Sequence, residues 1–398
     1  MINKWVKLSI NSTVIPGPLT GHGLALGILR EASMTKQTSR PRLGKLDLTR
    51  RSLVAGGATV VLAPTYWKQA SAQEKRIFIR DPGGPYAPGF KEAFYEPFTK
   101  ATGIEAVGLQ GQHEPTSLIK GMVDTKTYTW DMGLISLSAA NQLRDEGPGY
   151  LEKLDIKTAY IDTTPAEYKT EYFVGNNVFA IILAYRTDAY EGKGKEPPKT
   201  WADLFDVNKI PGRRSMRKHP FDTIEEALLA DGVPGEKLYP LDFDRAFKKL
   251  DTIKKEIAVW WTGGAQTSQL LKSGEVDICA TWNGRAQAAI DDGAPVKIIW
   301  TQHLWTPEGW SIFKGTPKAD MCREFIKFSV DPARQAIFTK HLAYGPTHPD
   351  AYKTIPPERA KVLPTAPSYL PGRIKVDDLF WAANKDKITE RFNSWVVS

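Results

Sequence analysis

The first regular pattern of apolar and polar positions begins at residue 75 and predicts a strand followed by a helix. Residues 75–81 (KRIFIRD) alternate between polar and apolar side chains, as a half-buried strand does. After a Pro-Gly-Gly turn, Phe90, Phe94 and Phe98 lie four residues apart, which places them on one face of a helix that ends at Gly103. The segment therefore predicts a β-strand joined to an α-helix.

Short apolar strands and amphipathic helices continue to alternate along the chain, with one break at residues 191–200 (EGKGKEPPKT). Such alternation is typical of a largely parallel sheet covered by helices, so we expect an α/β fold. Beyond residue 315 the pattern is mainly helical. The further predicted strands are GIEAVGL, TWDMGLIS, FAIILAYR, GRRSMRK, EIAVWW, EVDICATW and VKIIWTQ.

The segment ahead of the first strand has the parts of an export signal. Arg50 and Arg51 form a positive start, residues 53–63 form an apolar run too short to cross a bilayer, and residues 70–72 (ASA) match a cleavage signature. The paired arginines resemble a twin-arginine signal. We therefore expect residues 1–72 to be an export leader; the alternative is a buried helix with an incidental pair of arginines.

The positive charge of the chain belongs to this predicted leader. The whole sequence has a formal net charge of +8, from 53 Lys and Arg against 45 Asp and Glu. Residues 1–72 hold ten of the basic residues and two of the acidic ones, so residues 73–398 carry 43 of each sign. An excess of positive charge would have indicated nucleic-acid or membrane-surface binding. The neutral remainder predicts no nucleic-acid partner.

Cysteines and histidines give no indication of a metal site. Cys279 lies in a predicted strand, which favours a buried free thiol over a disulfide with Cys322. The six histidines are scattered without zinc-like spacing. The sequence also has no phosphate loop and no nucleophile elbow. We therefore expect no metal, no cofactor and no catalytic residues.

Several motifs in fixed order resemble one protein family. They are WDMGLIS, FAIILAYRTDAY, PPKTWADLFD, GEVDICATWNGRA, APVKIIW, TPEGWSIFKG and YGPTHPDA. Their succession over residues 75–350 resembles the extracellular solute-binding proteins of ABC transporters, and within these the spermidine/putrescine-binding-like branch. The combination is specific for the family and carries little information about the ligand.

The resemblance implies the type II periplasmic binding-protein fold, in which two α/β lobes close over a ligand about a hinge. Lobe one would comprise residues 75–183 and 303–398, and lobe two residues 184–302. The resemblance also implies a periplasmic protein, usually a monomer, that delivers its ligand to an ABC permease in the inner membrane.

Candidate ligand contacts follow from the ends of the predicted strands, because ligands of open α/β sheets lie beyond the carboxyl ends of the strands. In lobe one, Asp81 and Tyr86 flank the Pro-Gly-Gly turn, and Ser136 ends a strand. The alternatives are an ordinary strand-to-helix turn for the first two and a helix N-cap for Ser136.

Lobe two offers cations and aromatic rings at the same kind of position. Arg217 ends the strand GRRSMRK and could hold a carboxylate, or it could be a solvated surface charge. One of the pair Trp260 and Trp261 is expected to face the cleft, and Trp261 is the candidate. Trp282 and Arg285 follow the strand EVDICATW at the start of a helix, and the resemblance places an aromatic ligand contact at Trp282.

The return to lobe one adds Glu308 and Trp310, the second by resemblance to a family wall residue. A polyamine needs several carboxylates along an aromatic trough. The resemblance implies an acidic residue near position 285 in many polyamine-binding relatives, whereas Arg285 would repel a polyamine. The mixed charges therefore favour a zwitterion of the γ-aminobutyrate kind, with a polyamine as the close alternative.

Two other classes of function stay open from the sequence. An exported enzyme could show the same alternation of strands and helices, although no catalytic motif supports it. A sensory binding protein without a transport role is the other alternative. Turnover of a candidate substrate would favour the enzyme, and binding without turnover would favour transport.

Overall fold

Ten strands form one mixed sheet in the computed structural model, which describes residues 75–111 and 115–398. The predicted leader lies outside the described residues. The strands are β1 (Arg76–Asp81), β2 (Glu105–Gln110), β3 (Met132–Ser136), β4 (Val174–Arg186), β5 (Arg214–Arg217), β6 (Ile257–Trp261), β7 (Ile278–Trp282), β8 (Val296–Ile312), β9 (Gly345–Pro346) and β10 (Ile374–Lys375).

The sheet is parallel at its two ends and antiparallel in its centre. Its main order is β2-β1-β3-β8-β4-β7-β5-β6, with β9 on β4 and β10 on β8. The pairs of β1 with β2 and β3, and of β5 with β6 and β7, are parallel. The pairs that involve β4 with β7 and β8, and β3 with β8, are antiparallel. The expected α/β fold is confirmed, while the expectation of a largely parallel sheet holds only at the ends.

Strands β4 and β8 run through both halves of the sheet. Residues 174–181 of β4 pair with residues 304–310 of β8, and residues 183–186 pair with 296–299, with a shift of register between them. The predicted strand VKIIWTQ therefore continues to Ile312, beyond the positive φ of Gln302. This geometry agrees with two lobes joined by crossing segments, and the lobe boundaries given above stay a prediction.

Helices cover the sheet, and none among the described residues is long and apolar enough to span a membrane. They are α1 (Tyr86–Phe90), a π-turn (Lys91–Tyr95), α2 (Glu96–Thr102), α3 (Thr116–Thr125), α4 (Leu137–Asp145), α5 (Ala159–Thr163), α6 (Thr187–Tyr190), α7 (Trp201–Phe205), α8 (Pro220–Ala230), α9 (Phe243–Asp251), α10 (Gly264–Ser273), α11 (Asn283–Asp291), α12 (Ala319–Ser329), α13 (Pro332–Phe338), α14 (Pro357–Ala360) and α15 (Asp378–Val397).

The first predicted helix is present as three consecutive pieces, α1, the π-turn and α2. Phe90, Phe94 and Phe98 are fully buried, as their spacing predicts. Gly103 ends the helix in the left-handed conformation, with φ of 71° and its N–H bonded to the Thr99 carbonyl. Only glycine adopts this conformation at no steric cost, which explains why the helix ends here.

A buried acidic cluster ties the C-terminal helix α15 to α8. Trp381 Nε1 of α15 donates a hydrogen bond to Glu225 Oε1 at 2.5 Å, and the Tyr239 hydroxyl donates to the same oxygen at 2.8 Å. Burial raises the pKa of Glu225 to about 7. Burial, reinforced by the charges of Asp222 and Glu225, raises the pKa of Glu226 well above its usual value. Both carboxyl groups therefore retain protons at pH values where carboxyl groups in water have lost them.

We expect Glu225→Gln to become more stable relative to the wild type as the pH rises. Between about pH 4.5 and 7 the unfolded chain releases the Glu225 proton while the folded protein keeps it, so this group lowers stability with rising pH. The difference in free energy of unfolding between variant and wild type should grow by on the order of 3 kcal/mol from pH 5 to pH 8.

Urea unfolding of the two proteins at a series of pH values measures this difference. Glu236→Gln is the matched control, because Glu236 is exposed on the next segment of the chain and should show no such trend. A Glu225→Gln difference that stays constant from pH 5 to pH 8 would contradict the assignment.

Candidate ligand-binding site

A cavity of about 320 Å³ lies where strand ends from both halves of the sheet meet. Its size is in the range of sites for small molecules. It contains aromatic rings, glycine backbone and three charged side chains. The residues that line it are Pro82, Gly83, Gly84, Tyr86, Gln110, Gly111, Phe179, Arg217, Thr262, Gly263, Gly264, Ala265, Trp282, Arg285, Glu308 and Tyr344.

A larger depression of about 620 Å³ lies on the outer side of β2 and α2, where it is more open to solvent. Among the described residues, Tyr95 is its one aromatic lining residue, and no arginine lines it. Ligand sites are concave and enclosed, with a few convergent polar groups. We therefore assign the candidate site to the smaller cavity.

Glycine-rich turns allow the walls of the cavity to approach each other. Gly83 and Gly84, after β1, have φ values of 70° and 57° and lead into α1. Gly264 begins α10 after β6, and a methyl group there would lie 2.7 Å from the Trp282 ring and 3.0 Å from Arg285 Nε. A side chain at position 264 would therefore collide with Trp282 and Arg285.

Tyr86 and Glu308 form the acidic side of the cavity. The Tyr86 hydroxyl donates to Glu308 Oε2 at 2.5 Å, and each of the two residues is 3% exposed. Burial, followed by the charge of Glu308, raises the pKa of Tyr86 well above its usual value, so that Tyr86 keeps the proton it donates. The carboxylate of Glu308 is thus oriented by a neutral phenol.

Aromatic rings connect this side of the cavity to the other. The Tyr344 ring lies 5.9 Å from that of Tyr86 and 5.7 Å from that of Phe179. Phe179 in turn meets Trp282 at 5.7 Å with the ring planes at 63°. Aromatic faces of this kind attract a cation, especially where water is excluded. The rings therefore form a continuous aromatic surface along the cavity.

Among the described residues, the side chain of Arg285 has no hydrogen-bond or ion-pair partner. It is 6% exposed, and its guanidinium carbon lies 6.0 Å from the centre of the Tyr86 ring. The buried Nε has no hydrogen-bond partner within the described chain. A buried guanidinium is costly unless its donors are satisfied, and a carboxylate satisfies two of them at once. This position is suited to an anionic group of a ligand.

Arg217 has a different role, because its charge is already paired. Its Nη1 donates to Asp222 Oδ2 at 2.9 Å, and its guanidinium carbon lies 4.9 Å from the centre of the Trp282 ring. Trp282 Nε1 donates to the same Asp222 oxygen at 3.0 Å. Asp222 therefore holds an arginine and a tryptophan of the cavity wall together.

Five of the nine residues predicted from the sequence line this one cavity. They are Tyr86, Arg217, Trp282, Arg285 and Glu308. They come from both halves of the sheet and from chain segments more than 200 residues apart. That they contact a ligand stays a prediction.

Two of the other predicted residues serve local structure instead. Asp81 accepts a hydrogen bond from the Gly83 N–H at 2.7 Å and lines the larger outer depression. Ser136 is the N-cap of α4, where its hydroxyl accepts from the Ala139 N–H at 3.1 Å. Ser136 thus has the N-cap role that the sequence offered as the alternative, and it does not line the cavity.

The two remaining tryptophans are corrected from cavity wall to core. Trp261 is 1% exposed, lies edge-on behind Trp282 at 5.3 Å and donates to the Ala280 carbonyl. Trp260 packs against the C-terminal helix on the other side, so neither member of this pair lines the cavity. Trp310 is fully buried among phenylalanines, because it lies two residues beyond Glu308 where β8 enters the core.

Sequence reasoning missed Phe179 and Tyr344, which line the cavity, and Asp222, which contacts its wall from outside. Phe179 lay inside a predicted strand, and Tyr344 lay in the motif YGPTHPDA, but neither follows a strand end in the chain. Asp222 follows Arg217 by five residues and carries no pattern of its own. Their places depend on β-pairing and on the start of α8, which single-residue patterns do not give.

The family model for bacterial extracellular solute-binding proteins matches residues 93–365. The γ-aminobutyric acid-binding protein of Pseudomonas aeruginosa is 34% identical over 337 residues, which cover 82% of this chain and 93% of that protein. The spermidine/putrescine-binding periplasmic protein of Escherichia coli is 22% identical and covers 67% of this chain and 76% of its own length.

Solved structures give the same picture. An ABC transporter substrate-binding protein from Bradyrhizobium japonicum is 35% identical with a TM-score of 0.73, and the match covers 80% of this chain and 99% of that one. The structure of a GABA receptor is 35% identical with a TM-score of 0.74, covering 81% and 97%. These similarities agree with the two-lobed fold.

We expect Gly264→Ala to destabilise the protein by about 1–3 kcal/mol, the usual effect of overpacking. The added methyl group would meet Trp282, whose indole is held from behind by Asp222. Gly263→Ala is the matched control, because a methyl group at position 263 would meet nothing within 4 Å. Chemical denaturation of both variants measures the effect. Equal stability of the two would show that Trp282 can shift to accommodate the methyl group.

Proposed function

This chain belongs to the family of bacterial extracellular solute-binding proteins, and we propose that it captures a small zwitterion of the γ-aminobutyrate kind for an ABC importer. The ligand would enter the cavity between the two halves of the sheet and bridge them. The closed form would then be recognised by a permease in the inner membrane. No bond is made or broken in this function, so we expect binding without turnover.

The observation that carries the proposal is the pairing of Arg285 and Glu308 in one buried, aromatic-lined cavity. Arg285 brings a buried Nε donor that has no partner in the described chain, which suits a carboxylate. Glu308 and the rings of Tyr86 and Tyr344 suit an ammonium group. A ligand with one group of each charge would satisfy both sides.

The charge count of the cavity favours a zwitterion over a polyamine. Among the lining residues Glu308 is the one carboxylate, Arg285 is a cation, and the charge of Arg217 is paired with Asp222. A polyamine would bring at least two positive charges to a cavity that offers one carboxylate and the cation of Arg285. The higher identity to a γ-aminobutyric acid-binding protein than to a polyamine-binding one, 34% against 22%, supports the same choice.

Binding would act by shifting the population of open and closed forms, since a ligand that contacts both halves stabilises the form in which they are close.

The names of the relatives place the polyamine-binding ones in the periplasm. We propose the same compartment for this protein, reached by the twin-arginine route that the leader predicts. We also propose that the mature protein acts as a monomer and that residues 75–183 with 303–398 and residues 184–302 are its two lobes.

Isothermal titration of the chain from Gln73 with γ-aminobutyrate, butyrate, butylamine and putrescine tests the proposal. We expect γ-aminobutyrate to bind and the two singly charged analogues to bind at least tenfold more weakly, because each leaves one buried charge without its partner. Putrescine binding tighter than γ-aminobutyrate would show that the ligand is a polyamine instead. Release of a chemically altered product would indicate an enzyme.

Arg285→Gln should raise the dissociation constant for γ-aminobutyrate by about ten- to a hundredfold, the usual value of a hydrogen bond to a charged group. Arg245→Gln provides the control, because Arg245 is a half-exposed arginine that pairs with Asp231 on the surface of the protein. An unchanged dissociation constant in Arg285→Gln would contradict the proposed contact between Arg285 and the ligand carboxylate.

A further inference from the structure

A buried ion pair stands directly behind the wall of the candidate site. The side chains of Arg217 and Asp222 are 7% and 1% exposed and meet at 2.9 Å. Arg217 lines the cavity, whereas Asp222 does not. The cavity therefore has a cation in its wall whose charge is balanced from outside the cavity.

The position of Asp222 is specified by several independent contacts. Its Oδ2 accepts from both Arg217 and Trp282, so that one carboxylate oxygen orients two wall residues. Thr223 anchors the same turn, because its hydroxyl donates to the Arg217 carbonyl at 2.9 Å. The backbone of Asp222 has φ of 81° and ψ of −59°, a region that a residue with a side chain rarely adopts.

This strained backbone places the carboxylate where a regular helix start would not. Residues held in sparsely populated conformations persist only where the surrounding structure demands them, and they cluster at functional sites. Here the strain accompanies a carboxylate that is directed at the cavity wall. In this position Asp222 accepts the two hydrogen bonds from Arg217 and Trp282.

Neutralising one member of a buried ion pair exposes the charge of the other. Without the Asp222 charge, Arg217 would present an uncompensated guanidinium beside Trp282. Without Arg217, the Asp222 carboxylate would be the uncompensated charge at this wall. While both residues are present, neither the guanidinium nor the carboxylate is uncompensated.

We propose that Asp222 determines the charge pattern of the accepted ligand, because it neutralises Arg217 and leaves Arg285 and Glu308 as the charges that a ligand meets. The pocket thus accepts one carboxylate and one ammonium group and disfavours a second group of either sign. This inference rests on the proposed function. Asp222 is a positioning residue that acts through Arg217 and Trp282.

Asp222→Asn tests the anionic side of the claim. With the carboxylate gone, Arg217 should accept a second ligand carboxylate, and the preference for γ-aminobutyrate over glutamate should fall by about tenfold or more. Glutamate is a suitable probe because it is γ-aminobutyrate with a second carboxylate on the carbon that bears the ammonium group. Glu226, one turn further along α8, is buried and near Asp222 and Arg217. In the double variant Asp222→Asn, Glu226→Gln, the side chain at position 226 cannot replace the negative charge lost at position 222.

Arg217→Gln tests the cationic side. The uncompensated Asp222 carboxylate should attract a second ammonium group, so the preference for γ-aminobutyrate over putrescine should fall by a similar factor. The double variant Arg217→Gln, Asp222→Asn should show neither change of preference. Asp231→Asn is the matched control, because it breaks an exposed pair with Arg245 at the other end of α8.

Ratios of dissociation constants for the three ligands, measured by titration calorimetry, separate the outcomes, because general damage to the fold weakens all ligands together. If the wild type binds no ω-amino acid, the proposed function itself fails. If the wild type binds γ-aminobutyrate but the folded single variants keep its preferences, the role of Asp222 is overturned. If Asp222→Asn does not fold, Arg217→Gln decides the question. Comparable binding of glutamate and γ-aminobutyrate by the wild type overturns the inference whatever the variants do.

Discussion

The antiparallel pairing of β4 with β8 is the constraint on which the site depends. These two strands run through the centre of the sheet and pair with β3 at one end and with β7 at the other. Phe179 and Glu308 project from them into the cavity, between the strand ends of the two halves. The shift of register near Ile181 separates the two paired regions, so the crossing strands both connect the halves and supply side chains to the cavity between them.

The three charged side chains of the cavity are buried, and burial decides how each of them must be partnered. A charged side chain in a dry site must find a partner, and the three charges here do so in different ways. Arg217 is paired within the protein by Asp222, Glu308 is oriented by the Tyr86 hydroxyl, and Arg285 retains donors for a partner from outside. This division of roles supports the proposal of a zwitterionic ligand.

The acidic cluster of α8 extends this network towards the C-terminal helix. Asp222 contacts the cavity wall, and Glu225, one turn later, holds Trp381 of α15. The raised pKa of Glu225 follows from burial, as does that of Glu226. Elements far apart in the chain thus converge on one turn of helix, which orients the wall on one side and anchors α15 on the other.

Local pattern by itself determined most of the strands and helices, since an alternating or four-residue period records which face of an element is buried. The helix from Tyr86 to Gly103 is an example, and Arg217, Trp282 and Arg285 were found because they follow strands. Tertiary structure alone decided the rest. Trp282 lines the cavity while Trp261 and Trp310 lie in the core, because burial of a tryptophan depends on what packs against the end of its strand. The pairing of Arg217 with Asp222 also came only from the fold, since an arginine in a sequence shows its charge but not the carboxylate that neutralises it.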